Sequence, residues 1–134
     1  MPITDKETLL SDSQTMVGVA EGADVASTHT YDCGVATPNR GYGTPLLCRS
    51  NVADAFTNCS QFKVSVKDCD TEGGTYAIIL AGPNTALASL TAGASLMSSS
   101  LPQEHRRFVQ FFYDVTGTTE ESSGGSVTSM IAPA

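Results

Sequence analysis

The side chains of this sequence that could carry out chemistry are two histidines, four cysteines and a set of scattered carboxylates. His29 and His105 are far apart in sequence, and no G-x-S-x-G motif is present to supply an activated serine. A Cys–His pair could form between Cys33 and His29, or between a distant cysteine and His105, but the motif context of a cysteine nucleophile is missing. The sequence therefore predicts a protein without enzymatic activity.

The cysteines do not form a metal-binding pattern. No C-x-x-C pair occurs, and the two isolated histidines cannot complete a zinc site or the histidine cluster of a cupin-like enzyme. The opening residues Met1 to Glu7 carry no secretory pattern, so we expect reduced thiols that pack as small apolar groups. We predict no metal and no cofactor. The cysteines are Cys33, Cys48, Cys59 and Cys69.

Two charged clusters invite a functional interpretation. Oxygen donors recur at alternate positions from Asp68 to Gly73, as in half of a calcium loop, but the rest of that pattern is absent and an acidic turn is favoured. His105-Arg106-Arg107 is a basic cluster. These arginines suit bidentate contacts, either with acidic groups of a neighbouring chain or with this chain's own carboxylates.

Charge and length limit the classes of function. The 134 residues carry 14 acidic and 7 basic side chains, a net charge of −7, which repels nucleic acid phosphates. No apolar run is long enough to span a membrane. The length predicts a single domain over residues 1–134, with partners among proteins rather than nucleic acids or membranes.

Short apolar segments punctuated by glycine, proline, asparagine and aspartate predict an all-β fold. The clearest alternation is in Phe62 to Val66. A loop is predicted for 34–44, a connector for 51–58 and a polar hairpin for 118–125, and Gly82-Pro83-Asn84 is expected to end a buried strand. The remaining strands are predicted at 14–20, 25–33, 45–50, 75–81 and 126–132, with shorter apolar segments at 87–90 and 94–98.

The densest apolar stretch, His105 to Gly117, fits both a strand and a helix. Phe108, Phe111, Phe112 and Val115 have helical spacing, whereas alternation places Val109, Phe111, Tyr113 and Val115 on one face of a strand. The abundance of short strands elsewhere favours a central strand of an all-β sandwich. Its second face, which contains Phe108 and Phe112, is mixed in polarity, and either a partner or a second sheet could half cover it.

Three segments resemble a known family. They are Ile3 to Gln14, Gly43-Thr44-Pro45-Leu46, and the region that contains Leu90-Thr91-Ala92-Gly93, Leu101-Pro102 and Arg107 to Thr118. In these segments the sequence resembles the capsid cement (decoration) proteins of tailed bacteriophages, typified by that of Bordetella phage. The likeness extends over nearly the full chain.

The resemblance implies a jelly-roll β-sandwich on the outer surface of an icosahedral phage head. It implies binding to the major capsid protein, self-association as a homodimer or homotrimer, assembly in the host bacterial cytoplasm, and no enzymatic activity or cofactor. We expect an extended N-terminal arm, residues 1–13, that orders on a partner. The predicted interface residues are Ile3, Leu9, Leu10, Arg106, Arg107, Phe108 and Phe112.

An alternative function is a carbohydrate- or receptor-binding β-sandwich of a phage tail or fibre. Such a site needs exposed tryptophan or tyrosine platforms beside polar groups. The sequence has no tryptophan and four scattered tyrosines. The cement function is therefore the preferred expectation.

Overall fold

The computed structural model describes residues 9–16, 24–32, 46–57, 61–102, 105–116 and 124–133. These residues form an all-β structure with nine strands, and a single 3-10 turn at Leu87–Ser89 is its helical element. No helix in the described part of the chain has the length and apolar character needed to cross a membrane. The strands are β1 Leu9–Thr15, β2 Asp24–Ala26, β3 Tyr31–Asp32, β4 Leu46–Thr57, β5 Gln61–Cys69, β6 Ala77–Ala86, β7 Ser95–Ser100, β8 Phe108–Thr116 and β9 Gly124–Pro133.

The strands form two antiparallel sheets whose inner faces share one core. Sheet A has four strands in the order β1-β9-β4-β7, and sheet B has the order β2-β8-β5-β6, with β3 also paired to β8. The pairing is nested: β1 pairs with β9, β2 and β3 pair with β8, β4 pairs with β7, and β5 pairs with β6. The first and last segments of the described chain are therefore neighbours in one sheet.

Strand β8 confirms the strand interpretation of the aromatic stretch. Val109, Phe111, Tyr113 and Val115 are all fully buried on one face, as the alternation predicts. Phe111 and Tyr113 are among the largest fully buried side chains, and Tyr113 stacks on Phe62 of β5 with ring centroids 6.0 Å apart. Packing of aromatic and β-branched residues from both sheets outweighs the helical spacing of the same residues, because a helix would leave half of them in water.

The alternation in β5 and β9 is also confirmed. Phe62, Val64 and Val66 of β5 face the core, while Lys63 and Lys67 face outward. In β9, Val127, Ser129 and Ile131 are buried, whereas Thr128 and Met130 are partly exposed.

The predicted connector at 51–58 is wrong, because β4 continues from Leu46 to Thr57 without a break. Asn51 and Asp54 gave the 51–58 segment the polar character of a loop. Val52 and Phe56 of the predicted connector are buried, and the buried Ser50 hydroxyl just before it lies 2.9 Å from the Ser129 hydroxyl on β9. A partner that is distant in sequence thus satisfies a polar group that would otherwise be costly to bury.

The prediction of a buried strand that ends at Gly82-Pro83-Asn84 is also wrong. Strand β6 continues through this segment to Ala86 and lies at the edge of sheet B, where Ile78 is 57% exposed. Gly82 and Pro83 together face one residue of β5, Val64, because Asn84 pairs with Lys63 and Ala81 with Ser65. This is a β-bulge on an edge strand, a position that tolerates a proline.

The N-terminal strand begins earlier than predicted, at Leu9 instead of Gln14. Residues 9–13 of the expected arm belong to sheet A, and residues 1–8 lie outside the described residues. The predicted strand at 25–33 is two short strands, β2 and β3. The predicted loop at 34–44, most of the hairpin at 118–125, Cys33 and Cys59 also lie outside the described residues, whereas Cys48 and Cys69 are buried.

Candidate interaction surfaces

The outer face of sheet B carries the two phenylalanines predicted to contact a partner. Phe108 and Phe112 are both partly exposed on the face of β8 opposite the core. The ammonium group of Lys67 lies 4.3 Å from the centre of the Phe112 ring and forms an ion pair with Asp24. Tyr76 packs at a tilt against Phe112, with ring centroids 5.7 Å apart. Side chains of this chain therefore cover part of the Phe112 ring.

Arg107 binds a carboxylate of its own chain. Its Nε and one terminal nitrogen donate hydrogen bonds of 2.7 and 3.0 Å to the two oxygens of Asp32, which is a bidentate pair. These hydrogen bonds raise the pKa of Arg107 above its ordinary value. The guanidinium carbon lies 4.9 Å from the centre of the Phe108 ring. Strand β3 thus supplies the carboxylate that holds Arg107 over the phenylalanine.

Arg106 is also held within the chain. Its Nε donates to Asp68 Oδ1 at 3.0 Å, a terminal nitrogen donates to the Asp68 carbonyl at 2.7 Å, and its backbone N–H donates to Asp68 Oδ2 at 2.8 Å. Asp70 lies 3.8 Å from the other terminal nitrogen. Hydrogen bonding to Asp68 raises the pKa of Arg106. Of the two alternatives for the basic cluster, these contacts match pairing with the chain's own carboxylates.

The Asp68–Gly73 segment resembles half of a calcium loop in sequence. Asp68 and Cys69 are the last residues of β5, and the acidic turn begins at Asp70. Asp68 is engaged by Arg106, and the Gly74 N–H donates to the Thr71 carbonyl. Within the described ranges, no three histidine, cysteine, aspartate or glutamate side chains come close enough to hold a metal ion.

Two carboxylates face each other on the outer side of sheet B. Asp24 of β2 is the cross-strand partner of Asp114 on β8, and Lys63 of β5 is opposite Asp114 on its other side. One carboxylate oxygen of Asp114 is buried and has no hydrogen-bond partner among the described residues. Burial, followed by the charge of Asp24, raises the pKa of Asp114, and the charges of Lys63 and Lys67 oppose this increase.

A chain of buried hydroxyl groups connects the two sheets through the core. The Tyr113 hydroxyl lies 2.7 Å from Ser11 Oγ of β1 and 2.6 Å from Ser129 Oγ of β9. Ser129 continues to Ser50 of β4, and Ser11 donates to the side-chain oxygen of Gln14 at 2.7 Å. Burial raises the pKa of Tyr113 to about 12. We refer to these five residues as the hydroxyl chain.

The other predicted interface residues occupy different environments. Ile3 lies outside the described residues. Leu10 is fully buried in the core, where it stabilises the domain itself and presents no surface to a partner. Leu9 is partly exposed on the outer face of sheet A, where it pairs with Met130. Leu9 and Leu10 thus differ in role, although the sequence prediction treated them as one apolar pair.

The outer face of sheet A holds surface residues that sequence reasoning did not select. Arg49 of β4 lies between Met130 of β9 and Ser98 of β7, and Leu9 continues the same row on β1. Its neighbours in sequence, Cys48 and Ser50, are buried, so alternation directs Arg49 outward. The same alternation in the sequence could have identified this outward arginine if β4 had been recognised as one strand.

The fold and these surfaces define a class of protein: a two-sheet β-protein with aromatic and arginine side chains on its outer faces. A family model for Bbp16 matches residues 10–131. The chain therefore belongs to the Bbp16 family. A comparison with curated proteins gave no match.

Proposed function

We propose that this chain is a capsid decoration, or cement, protein that binds the outer surface of an icosahedral phage head. In this role it staples neighbouring major capsid protein subunits and stabilises the mature shell. The observation that carries the proposal is the Bbp16 match over residues 10–131, which covers most of the segments whose sequence resembles phage cement proteins. The family name, which suggests a Bordetella phage protein, agrees with that resemblance.

The strand order supports a jelly-roll topology for the domain. In a jelly roll, a long antiparallel ribbon is rolled so that strands of its two halves pair in two packed sheets. The nested pairing of β1 with β9, β2 and β3 with β8, β4 with β7, and β5 with β6 is what such a ribbon would give, and it supports this part of the proposal.

The mechanical role follows from multivalent binding. Each copy contributes a modest interface with the shell, and contact with a second subunit becomes effectively intramolecular once the first has formed. Self-association as a homodimer or homotrimer would multiply these contacts. Outward pressure from packaged DNA would then have to break several interfaces together.

The test uses heads of the phage that encodes the chain, purified without the decoration protein. We expect the full chain to co-sediment with these heads and to raise their disruption temperature, and a virion reconstruction to show it over seams between coat subunits. Failure of the folded protein to bind mature heads would refute the proposal, and glycan binding in its place would favour the tail or fibre function. Native mass measurement reports the oligomeric state.

The proposed role of the N-terminal arm requires a deletion that leaves the core intact. A deletion through residue 12 would remove Leu10, which is fully buried, and Ser11, which belongs to the hydroxyl chain. A deletion of residues 2–8 ends before β1. We expect this variant to melt within a few degrees of the full chain and to bind heads more weakly. Full binding by the folded variant would exclude a role for residues 2–8.

A further inference from the structure

We propose that the chain docks through the outer face of sheet A, with Arg49 inserted against a carboxylate of the coat protein. This inference deepens the proposed function and depends on it. The partner surface would present an aspartate or glutamate with apolar side chains next to it, on the side that meets Met130 and Leu9. We call this surface the Arg49 face. Its central residues are Leu9, Leu47, Arg49, Ser98, Thr128 and Met130.

Charge pairing distinguishes Arg49 from the other described cations. Lys67, Arg106 and Arg107 form ion pairs with Asp24, Asp68 and Asp32. Lys63 lies opposite Asp114 in the sheet. Arg49 has no ion pair with any described residue, and its cross-strand neighbours Met130 and Ser98 are uncharged. Its guanidinium therefore has donors available for a partner.

The surroundings of Arg49 suit a protein partner. The other charges in the strands of sheet A are Asp12 and Asp54. Asp54 lies roughly 16 Å further along β4, and Asp12 is on β1, which β9 separates from β4. Among the described residues, the centre of the face is thus free of acidic groups, although the chain has a net charge of −7. This net charge disfavours nucleic acid, and partly exposed Met130 and Leu9 provide apolar area on the β9 side of Arg49.

The chemistry of arginine specifies the group that must oppose it. Covering a guanidinium without a partner removes its hydration and is strongly unfavourable, whereas a carboxylate restores two parallel hydrogen bonds. Lysine is a weaker substitute because it lacks the planar donor pair. The coat surface should therefore place a carboxylate over Arg49.

The available area is consistent with one contact in a multivalent assembly. From ordinary strand spacing, the four strands of sheet A cover on the order of 500 Å². This is somewhat less than the ~800 Å² that each partner contributes to a stable interface of standard size. Such a face would give weak binding by a single copy and strong binding by linked copies.

The outer face of sheet B is a poorer candidate for the same role. Arg106 and Arg107 already make hydrogen bonds with Asp68 and Asp32, and Lys67 covers the Phe112 ring. A partner would have to displace these contacts or dock over them. For this reason we place the docking contact on the Arg49 face and not on the sheet B surface around Phe108 and Phe112 that the sequence indicated.

The experiment compares two variants that lose one positive charge each, on opposite faces of the domain. Arg49→Gln removes the proposed contact, and Lys63→Gln is the matched control on sheet B. Binding to undecorated heads is measured by co-sedimentation over a range of salt concentrations. We expect Arg49→Gln to weaken binding roughly thirtyfold or more and Lys63→Gln to change it less than about threefold. Arg49→Lys should bind with intermediate affinity.

The outcomes separate the inference from the proposed function. If Arg49→Gln binds heads as tightly as the wild type does, the Arg49 face is overturned but the decoration function is not. A loss of head binding with Phe112→Ala would then place the contact on sheet B. Equal weakening by both charge variants also overturns the inference, because it indicates a general effect of net charge. Failure of the wild-type protein to bind refutes decoration itself. Circular dichroism and melting of each variant check that the fold is retained.

Discussion

Replacing Tyr113 with phenylalanine removes one oxygen atom from the centre of the hydroxyl chain and leaves the ring in place. The lost hydroxyl has two partners, Ser11 and Ser129, at 2.7 and 2.6 Å. Each buried hydrogen bond contributes about 1 kcal/mol net. Ser11 retains Gln14 and Ser129 retains Ser50, so neither serine is left fully unsatisfied. We therefore expect Tyr113→Phe to lower the free energy of unfolding by about 2 kcal/mol.

The assay is denaturant or thermal unfolding followed by circular dichroism. For a domain of this size, a loss of ~2 kcal/mol corresponds to a decrease in Tm of roughly 5–10 °C. Tyr76→Phe is the matched control, because the Tyr76 hydroxyl donates to the Glu72 carbonyl at an exposed position, where water can replace a lost partner. We expect that control to change stability by less than about 0.5 kcal/mol. An unchanged Tm for Tyr113→Phe would refute the structural role of the hydroxyl chain.

The pH dependence of the same variant provides a second measurement. The pKa of Tyr113 is about 12 in the folded protein and about 10 in an unfolded chain. The protonated phenol is favoured by folding, so its contribution is fully present below pH ~10 and is lost as the pH rises towards 12. Wild-type stability should fall more steeply than that of Tyr113→Phe across this window. Parallel curves would contradict the burial of this phenol.

Two further predictions concern the sheets. At pH 7, Asp114→Asn should raise the free energy of unfolding by ~0.5–1 kcal/mol, because it removes a like charge opposite Asp24. The pKa of Asp114 is raised in the folded protein, so the charged carboxylate opposes folding. The gain should therefore disappear at low pH, where the wild-type carboxyl is protonated. A lower Tm of Asp114→Asn at pH 7 would contradict this account. Gly82→Ala would place a Cβ atom 2.6 Å from the Val64 carbonyl oxygen and should lower the free energy of unfolding by ~1–3 kcal/mol. Gly73→Ala is the control: no atom lies within 4 Å of its new Cβ, so its stability should be nearly unchanged. Equal melting of these two glycine variants would count against the close approach in the bulge.

The sequence predicted well which side chains are buried in strands where polar and apolar residues alternate. The inward faces of β5, β8 and β9 follow the period of a strand, and each is buried as the pattern indicates. The outward placement of Phe108 and Phe112 follows from the same period. Alternation succeeds in these strands because each has one face on the core.

The sequence-based predictions fail where the position of a strand in the sheet determines how deeply its residues are buried. The run Ala77 to Ala81 is apolar enough for a central strand, but β6 lies at an edge, and the strand order that places it there is a property of the whole chain. Buried Ser50 depends on Ser129, which is distant in sequence. The partners of Arg106 and Arg107 are likewise separated from them by long segments of sequence. Local patterns contain no information about such pairs.

The nested pairing also determines when the fold can form. Strand β9, the last of the nine described strands to be synthesised, lies between β1 and β4, and β8 lies between β2 and β5. Neither sheet can close until nearly the whole chain has been synthesised, and each closure joins residues at opposite ends of the sequence, such as Leu9 and Met130. Loop-closure entropy makes such distant pairing slow. Nascent chains should therefore remain open until β8 and β9 have been synthesised, so that the earlier strands cannot complete their sheets as they emerge.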